Sequence, residues 1–164
     1  MLLTDLLAPE RIKIPLVAAT KSELLEELVQ LLTRADRVED PGDVLRAVRE
    51  REAVLSTGIG NGVAIPHGKS SAVPELRLAA GRTAEPVDFD ALDGQPVRLL
   101  FLLVGPETDA APHIKALSRI SRLLRQEPVR QRLIAARDAG EFYRALSEAE
   151  GVLAPRSASP PGLH

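Results

Sequence analysis

The chain has 164 residues, 45% of them apolar, and a formal charge of −2 from 21 lysines and arginines against 23 aspartates and glutamates. That length and apolar share suit one domain with a full core and exclude a disordered chain, and the charge lacks the basic excess of a nucleic-acid binder. No cysteine is present, which excludes disulfides, thiolate metal sites and a cysteine nucleophile.

The opening Met-Leu-Leu-Thr-Asp-Leu-Leu carries no basic region, and Asp5 falls too early for a signal peptide. The longest strongly apolar run, Leu99 to Val104, is far short of the ~20 residues of a spanning helix. The expectation is a cytoplasmic protein without direct membrane insertion. Leu2 to Leu7 predict a short helical turn closed by Pro9, and Ile12 to Val17 read as extended chain around Pro15. Thr20-Lys-Ser-Glu23 is a capping box, opening a helix whose face is Leu24, Leu25, Leu28, Leu31 and Leu32. Asp40-Pro41-Gly42 starts a second helix, with Asp40 as N-cap and proline at the first helical position. Its apolar stripe reads Val44, Val48, Leu55, and Arg51 falls on the same face near the C-terminus.

Arg77 to Thr83 alternates as a strand does, Asp93-Gly94 signals a turn, and Val97 to Val104 is apolar enough for a central strand. Pro112 and His113 open a helix with the face Ile114, Leu117, Ile120 and Leu124, and His113 leans inward on its first turn. Pro128 starts a helix through Ala136, and Gly140-Glu141 a last one to about Glu148. Residues 151–164, rich in proline and serine, read as a disordered tail, leaving one domain over 1–150. The mixture of helices with a strand buried on both faces implies an α/β fold, a mixed sheet with helices on both sides.

The most informative stretch is Ser56 to Lys69, Ser-Thr-Gly-Ile-Gly-Asn-Gly-Val-Ala-Ile-Pro-His-Gly-Lys. Glycines at 58, 60 and 62 permit close approaches that a Cβ would block. Val63-Ala64-Ile65 reads as a buried strand stopped by Pro66, so the His67 imidazole stands at a strand end. At neutral pH a histidine is mostly neutral and offers a bare ring nitrogen. Phosphoryl transfer needs that nitrogen plus donors and positive charge around the phosphoryl oxygens. Backbone N–H groups of Gly58, Gly60, Asn61 and Gly62, the hydroxyls of Ser56 and Thr57, and the Arg51 fork are candidate parts. Each has a plainer reading: a histidine closing a strand, an arginine drawn to a helix C-terminus, hydroxyls serving a local turn. Only three histidines occur, with no His-x-x-x-His or His-x-Glu pattern, so no metal site and no cofactor are expected.

This segment resembles the phosphorylation-site signature of the type-2 IIA domains of the bacterial phosphoenolpyruvate-dependent phosphotransferase system (PTS). These include the fructose/mannitol and nitrogen-regulatory branches. The opening Thr4-Asp5-Leu6-Leu7-Ala8-Pro9-Glu10-Arg11-Ile12 is similar to the nitrogen-regulatory branch, and Phe89 to Val97 is similar to the family's Asp-x-x-Asp-x-x-Pro-Val region. The resemblance implies a sheet of about five strands flanked by helices, and a phosphoryl carrier with a phosphohistidine intermediate. It implies that His67 is the acceptor, modified on Nε2 as is typical of the family, although the residue pattern alone does not choose between the ring nitrogens. It also implies that Arg51, sixteen residues before the acceptor, and His113, opening a later helix, complete the site. The phosphoryl donor would be the phosphocarrier HPr or its nitrogen-branch paralogue. Downstream would stand regulated target proteins or, in a sugar-specific subunit, a IIB domain serving fructose or mannitol uptake. The chain reads as a stand-alone IIA unit, which favours the regulatory branch. From another class, a non-catalytic phosphate- or nucleotide-binding domain stays open.

Overall fold

The structure, a computed structural model, describes residues 1–108 and 110–153. In chain order it runs α1 (Leu3–Leu6), a 3₁₀ turn (Pro9–Arg11), β1 (Ile12–Leu16), α2 (Lys21–Ala35), α3 (Pro41–Val54), β2 (Gly58–Gly60), β3 (Val63–Ala64), β4 (His67–Lys69), β5 (Arg77–Val87), β6 (Val97–Gly105), α4 (Ala110–Leu123), α5 (Glu127–Ile134) and α6 (Ala139–Leu153). Local signals start the helices as expected. The Thr20 hydroxyl accepts from the Glu23 amide, and the Asp40 carboxylate accepts from the Asp43 amide with Pro41 at the first helical position.

The described residues form one six-stranded mixed sheet in the order β1-β5-β6-β3-β2, with β4 also paired to β6. About five strands are expected from the resemblance, and the chemistry at Pro66 accounts for the extra one. Pro66 has no N–H, but its carbonyl still accepts from the Leu103 amide at 3.0 Å. Pairing therefore resumes beyond it: β3 places Val63 opposite Leu99, and β4 places His67 opposite Leu103. The offset is 36 residues in both, so β3 and β4 are one strand with a two-residue gap. His67 starts the second piece rather than ending the first.

Along β6 the side chains alternate between two cores. Leu99, Phe101 and Leu103 pack with Ile120, Leu133, Phe142 and Leu146 under α4, α5 and α6. Leu100, Leu102 and Val104 pack with Leu24, Leu28, Val44, Val48 and Phe89 under α2 and α3. The three phenylalanines, at 89, 101 and 142, are fully buried, each worth roughly 2–3 kcal/mol of apolar burial.

Three expectations shift. The α3 stripe continues from Val44 and Val48 to a buried Glu52, and Leu55 lies beyond the helix end, 57% exposed. In α4 the expected Ile120 and Leu124 are buried, Leu117 packs on the same core and His113 turns inward, joined by Ala116 and Leu123, but Ile114 is 62% exposed. Helix α6 continues to Leu153 because Glu150 is anchored: its buried carboxylate accepts from the Leu3 and Thr4 amides and pairs with Arg119 Nε at 3.0 Å. Gly151–Leu153 are thus helical, and the expected tail over 154–164 lies outside the described residues.

Candidate functional site

His67 shares its register with Leu103, so its side chain leaves the sheet on the face covered by α4. His113, in the first turns of α4, meets it there edge to face, with ring centroids 5.6 Å apart and planes at 61°. On the opposite face Gly68 lets α3 come close. A Cβ at Gly68 would stand 3.0 Å from the Val48 backbone nitrogen and 3.2 Å from the Ala47 carbonyl carbon. That approach carries Arg51, one helical turn beyond Ala47, to the same opening. An open pocket of about 550 Å³ results, lined by Arg46, Ala47, Glu50, Arg51, His67, Gly68, Lys69, Glu107, His113, Ile114 and Leu117. A larger groove of about 780 Å³ beside Asp36, Asp40 and Arg77 contains neither histidine.

The His67 ring is fixed by one bond, Nδ1 to the Ile65 carbonyl at 2.9 Å. A carbonyl only accepts, so Nδ1 carries the proton and Nε2 keeps a bare lone pair. Burial lowers the His67 pKa; the Ile65 bond works against this, Arg51 and Lys69 reinforce it, and Glu52 opposes it. His113 is 5% exposed, and burial, then the neighbouring His67 and Lys69, push it down to about 4. Neither His113 ring nitrogen has a hydrogen-bond partner among the described residues. One of the two carries a hydrogen at neutral pH, so the pocket contains a buried donor with nothing to donate to. Arg51 uses Nη1 on the Leu55 carbonyl at 2.8 Å, and among the described residues it has no carboxylate partner. A neutral nucleophilic nitrogen, two cations free of ion pairs among the described residues (Arg51 and Lys69) and an idle ring donor suit an anionic electrophile. Among the described residues no cluster of histidine, aspartate and glutamate has the makings of a metal site.

Residues 5–149 match the family model described as phosphoenolpyruvate-dependent sugar phosphotransferase system, EIIA 2. The chain belongs to that family. It is 43% identical to a nitrogen regulatory protein of Bradyrhizobium diazoefficiens, over 90% of this chain and 95% of that one. Its fold is similar to the crystal structure of the nitrogen regulatory protein IIA-Ntr from Neisseria meningitidis, with a TM-score of 0.81 and 36% identity over 87% of this chain and 97% of that one. It also resembles, in fold, the IIA mannitol protein of Escherichia coli solved in complex with phosphorylated IIB mannitol, with a TM-score of 0.72 and 24% identity over 86% and 96% of the two chains.

Within this EIIA type-2 domain, His67, His113 and Arg51 come together at one pocket, and Ser56, Thr57, Gly58, Gly60, Asn61 and Gly62 line no part of it. The Ser56 hydroxyl donates to the Phe89 carbonyl and accepts from the Gly58 amide. Thr57 gives both its amide and its hydroxyl to Glu52. The glycine loop does hold an anion, but its own: the Asp93 carboxylate accepts from the Asn61 amide and lies against Gly60. The glycines serve the backbone instead. Gly58 leaves room for Ala91, and Gly60 and Gly62 turn the chain at φ of 104° and 76°.

Three contributors escape a reading by motif. Lys69 lies two residues after His67 on the same strand, a period-2 relation that marks a shared face. Gly68 is explained only by the approach of α3. Glu52 accepts three hydrogen-bonding groups, Thr57 N–H, Thr57 O–H and Lys21 Nζ at 3.0 Å, and so pins the corner between α3 and β2 beside Arg51.

Proposed function

We propose that this EIIA type-2 domain is a phosphoryl carrier of the nitrogen-regulatory kind, which accepts a phosphoryl group on Nε2 of His67 from HPr or its nitrogen-branch paralogue. The observation that carries the reading is the His67 ring itself: Nδ1–H is committed to the Ile65 carbonyl, Nε2 is bare, and Arg51, Lys69 and the His113 ring, without a hydrogen-bond partner among the described residues, surround the same open pocket.

In the step, the Nε2 lone pair forms the new N–P bond as the N–P bond to the donor's histidine breaks. Nε2 holds no proton, so none has to leave, and the Ile65 carbonyl stabilises the positive charge that reaches Nδ1–H. The equatorial oxygens then find the Arg51 guanidinium and the His113 N–H, both present before the group arrives. His113 positions the phosphoryl group and does not carry it. No cofactor enters this scheme. The nitrogen-regulatory branch is favoured by the 43% identity along nearly the whole length of the Bradyrhizobium relative. In that branch the charge added at His67 changes which proteins the domain binds. The reading assigns the protein to the cytoplasm, and among the described residues no helix is long and apolar enough to cross a membrane.

The test is label transfer. With labelled phosphoenolpyruvate, Enzyme I and HPr or the nitrogen-branch pair, the protein should acquire acid-labile, base-stable label. His67→Ala should abolish it, and His113→Ala should leave a slower, less persistent signal. Label remaining in His67→Ala overturns the assignment. Rapid passage of label onward to a fructose or mannitol IIB domain would move the protein to the sugar branch.

A further inference from the structure

Eight large hydrophobic side chains are exposed among the described residues, and four of them gather at one corner: Val54, Leu55, Ile59 and Leu92. Val54 ends α3, Leu55 follows it, and Ile59 is the middle residue of β2, the sheet edge. The segment 88–93 runs alongside. Ser56 Oγ donates to the Phe89 carbonyl at 2.9 Å, and the Leu92 amide donates to the Gly58 carbonyl at 2.9 Å, which sets Leu92 beside Ile59. The corner is rimmed by the exposed Asp88, Asp90 and Asp93. Of the cations there, Lys21 pairs with Glu52 at 3.0 Å and with the rim carboxylate of Asp90 at 3.7 Å, and Arg51 holds the Leu55 carbonyl, which leaves Asp88 and Asp93 without a cation among the described residues.

Arg51 joins this corner to the His67 pocket. Its Nη1 holds the Leu55 carbonyl, just past the helix end, while the same guanidinium lines the pocket. A dianionic phosphoryl group on His67 draws the guanidinium by opposite charge and by a two-oxygen fork, where the Leu55 carbonyl offers one neutral acceptor. Arg51 then leaves Leu55, and the aliphatic corner loses its tether. A loosened patch has to be ordered again on binding, which weakens association.

We propose that Val54, Leu55, Ile59 and Leu92 form a docking surface for a partner protein that presents an apolar patch ringed by lysine and arginine, and that Arg51 releases this partner when His67 is phosphorylated. The state dependence rests on the carrier reading above; the docking surface does not.

The experiment places a photo-crosslinking p-benzoylphenylalanine at Leu55, at Leu92 and, as control, at the exposed Val17 on the far edge of the sheet. Each full-length protein, unphosphorylated or enzymatically phosphorylated, is irradiated in extract of its own organism. The crosslinked protein and peptide are identified, and that purified protein is titrated by calorimetry. Positions 55 and 92, but not 17, are expected to capture the same basic-rimmed surface from the unphosphorylated form. Affinity should fall at least tenfold on phosphorylation and in Leu55→Glu or Leu92→Glu, and Leu92→Glu should still accept label on His67. In the same samples the Arg51 guanidinium and Leu55 carbonyl NMR signals should shift on phosphorylation. Capture of nothing, of a second copy of this chain, or of an acidic surface overturns the docking proposal, and so does affinity untouched by Leu55→Glu. Affinity equal in both phosphorylation states overturns the role of Arg51. A chain that never acquires label indicts the carrier reading alone, because the unphosphorylated arm still reports on the corner.

Discussion

The rings of His67 and His113 meet edge to face at 5.6 Å, one from a strand beyond Pro66 and the other from the first turns of α4. The pair divides the labour. His67 has its proton fixed on Nδ1 by Ile65, whereas His113 has no partner for either nitrogen among the described residues. A dianionic phosphoryl group on His67 favours the charged form of its neighbour, so the His113 pKa should climb from about 4 by at least one unit on phosphorylation. Ring ¹⁵N–¹H titrations of both states measure this. An unchanged His113 titration would mean that the ring does not contact the phosphoryl group.

The same residue gives an acid sensitivity whose sign can be worked out. Burial depresses the His113 pKa in the folded protein to about 4, while the unfolded chain titrates near 6.5. Between those values the unfolded state binds more protons, so stability falls as pH drops from about 6.5 toward 4 and then levels off. His67, also depressed, adds in the same direction. The His113 share is on the order of 2 kcal/mol, reduced by solvent in the open pocket. Urea unfolding of the wild type and His113→Asn at pH 7, 5.5 and 4.5 should show the gap between them narrowing with acid. A constant gap would contradict the depressed pKa.

Local chemistry was legible in the sequence. Thr20-Glu23 and Asp40-Pro41 cap their helices because each hydrogen bond closes within three residues. The Val97–Val104 run and the Ser56–Lys69 signature needed no tertiary information either. What escaped depends on distant partners. Ile114 reads as core because the i, i+3 pattern through Leu117 and Ile120 extends back to it, whereas at that first turn His113 alone of the two turns inward. The loop reads as a phosphate cradle because nothing in the motif reveals that the Ser56 hydroxyl donates to Phe89, the Thr57 hydroxyl to Glu52, and the Asn61 amide to Asp93, thirty-two residues on. Pro66 reads as a stop because the carbonyl that still pairs with Leu103 is invisible until β6 lies beside it.

Glu52 is the hidden anchor of the site. Its carboxylate is 6% exposed and accepts from Thr57 twice and from Lys21. Glu52→Ala strands the Thr57 amide and the half-buried Lys21 ammonium, and should cost about 2–4 kcal/mol. Phosphoryl acceptance by the remaining folded protein should slow as well, because the corner that steadies Arg51 loosens. Urea unfolding and label-transfer rates measure the two effects, with Arg137→Ala, whose side chain is 85% exposed, as an indifferent control. A stable Glu52→Ala protein would show that the network contributes little.

Gly68 tests whether the approach of α3 matters to chemistry apart from stability. In Gly68→Ala the new Cβ would stand 3.0 Å from the Val48 nitrogen and 3.2 Å from both the Ala47 carbonyl carbon and Val48 Cγ2. Two of these are helix backbone, which cannot swing aside as a side-chain tip does, so α3 itself must move by a few tenths of an ångström. The expected cost is about 1–3 kcal/mol of stability. Arg51 moves with the helix, and phosphoryl acceptance should slow roughly tenfold, since small misplacements of a positioned group are costly. Gly94→Ala supplies the contrast. Gly94 sits at a φ of 74° with no atom within 4 Å of its would-be Cβ, so alanine there strains only a remote turn. It should lower stability without changing the acceptance rate of the folded protein. If both variants slow acceptance to the same extent, the effect is general softening, and the close packing of α3 on β4 has no special part in holding Arg51 to His67.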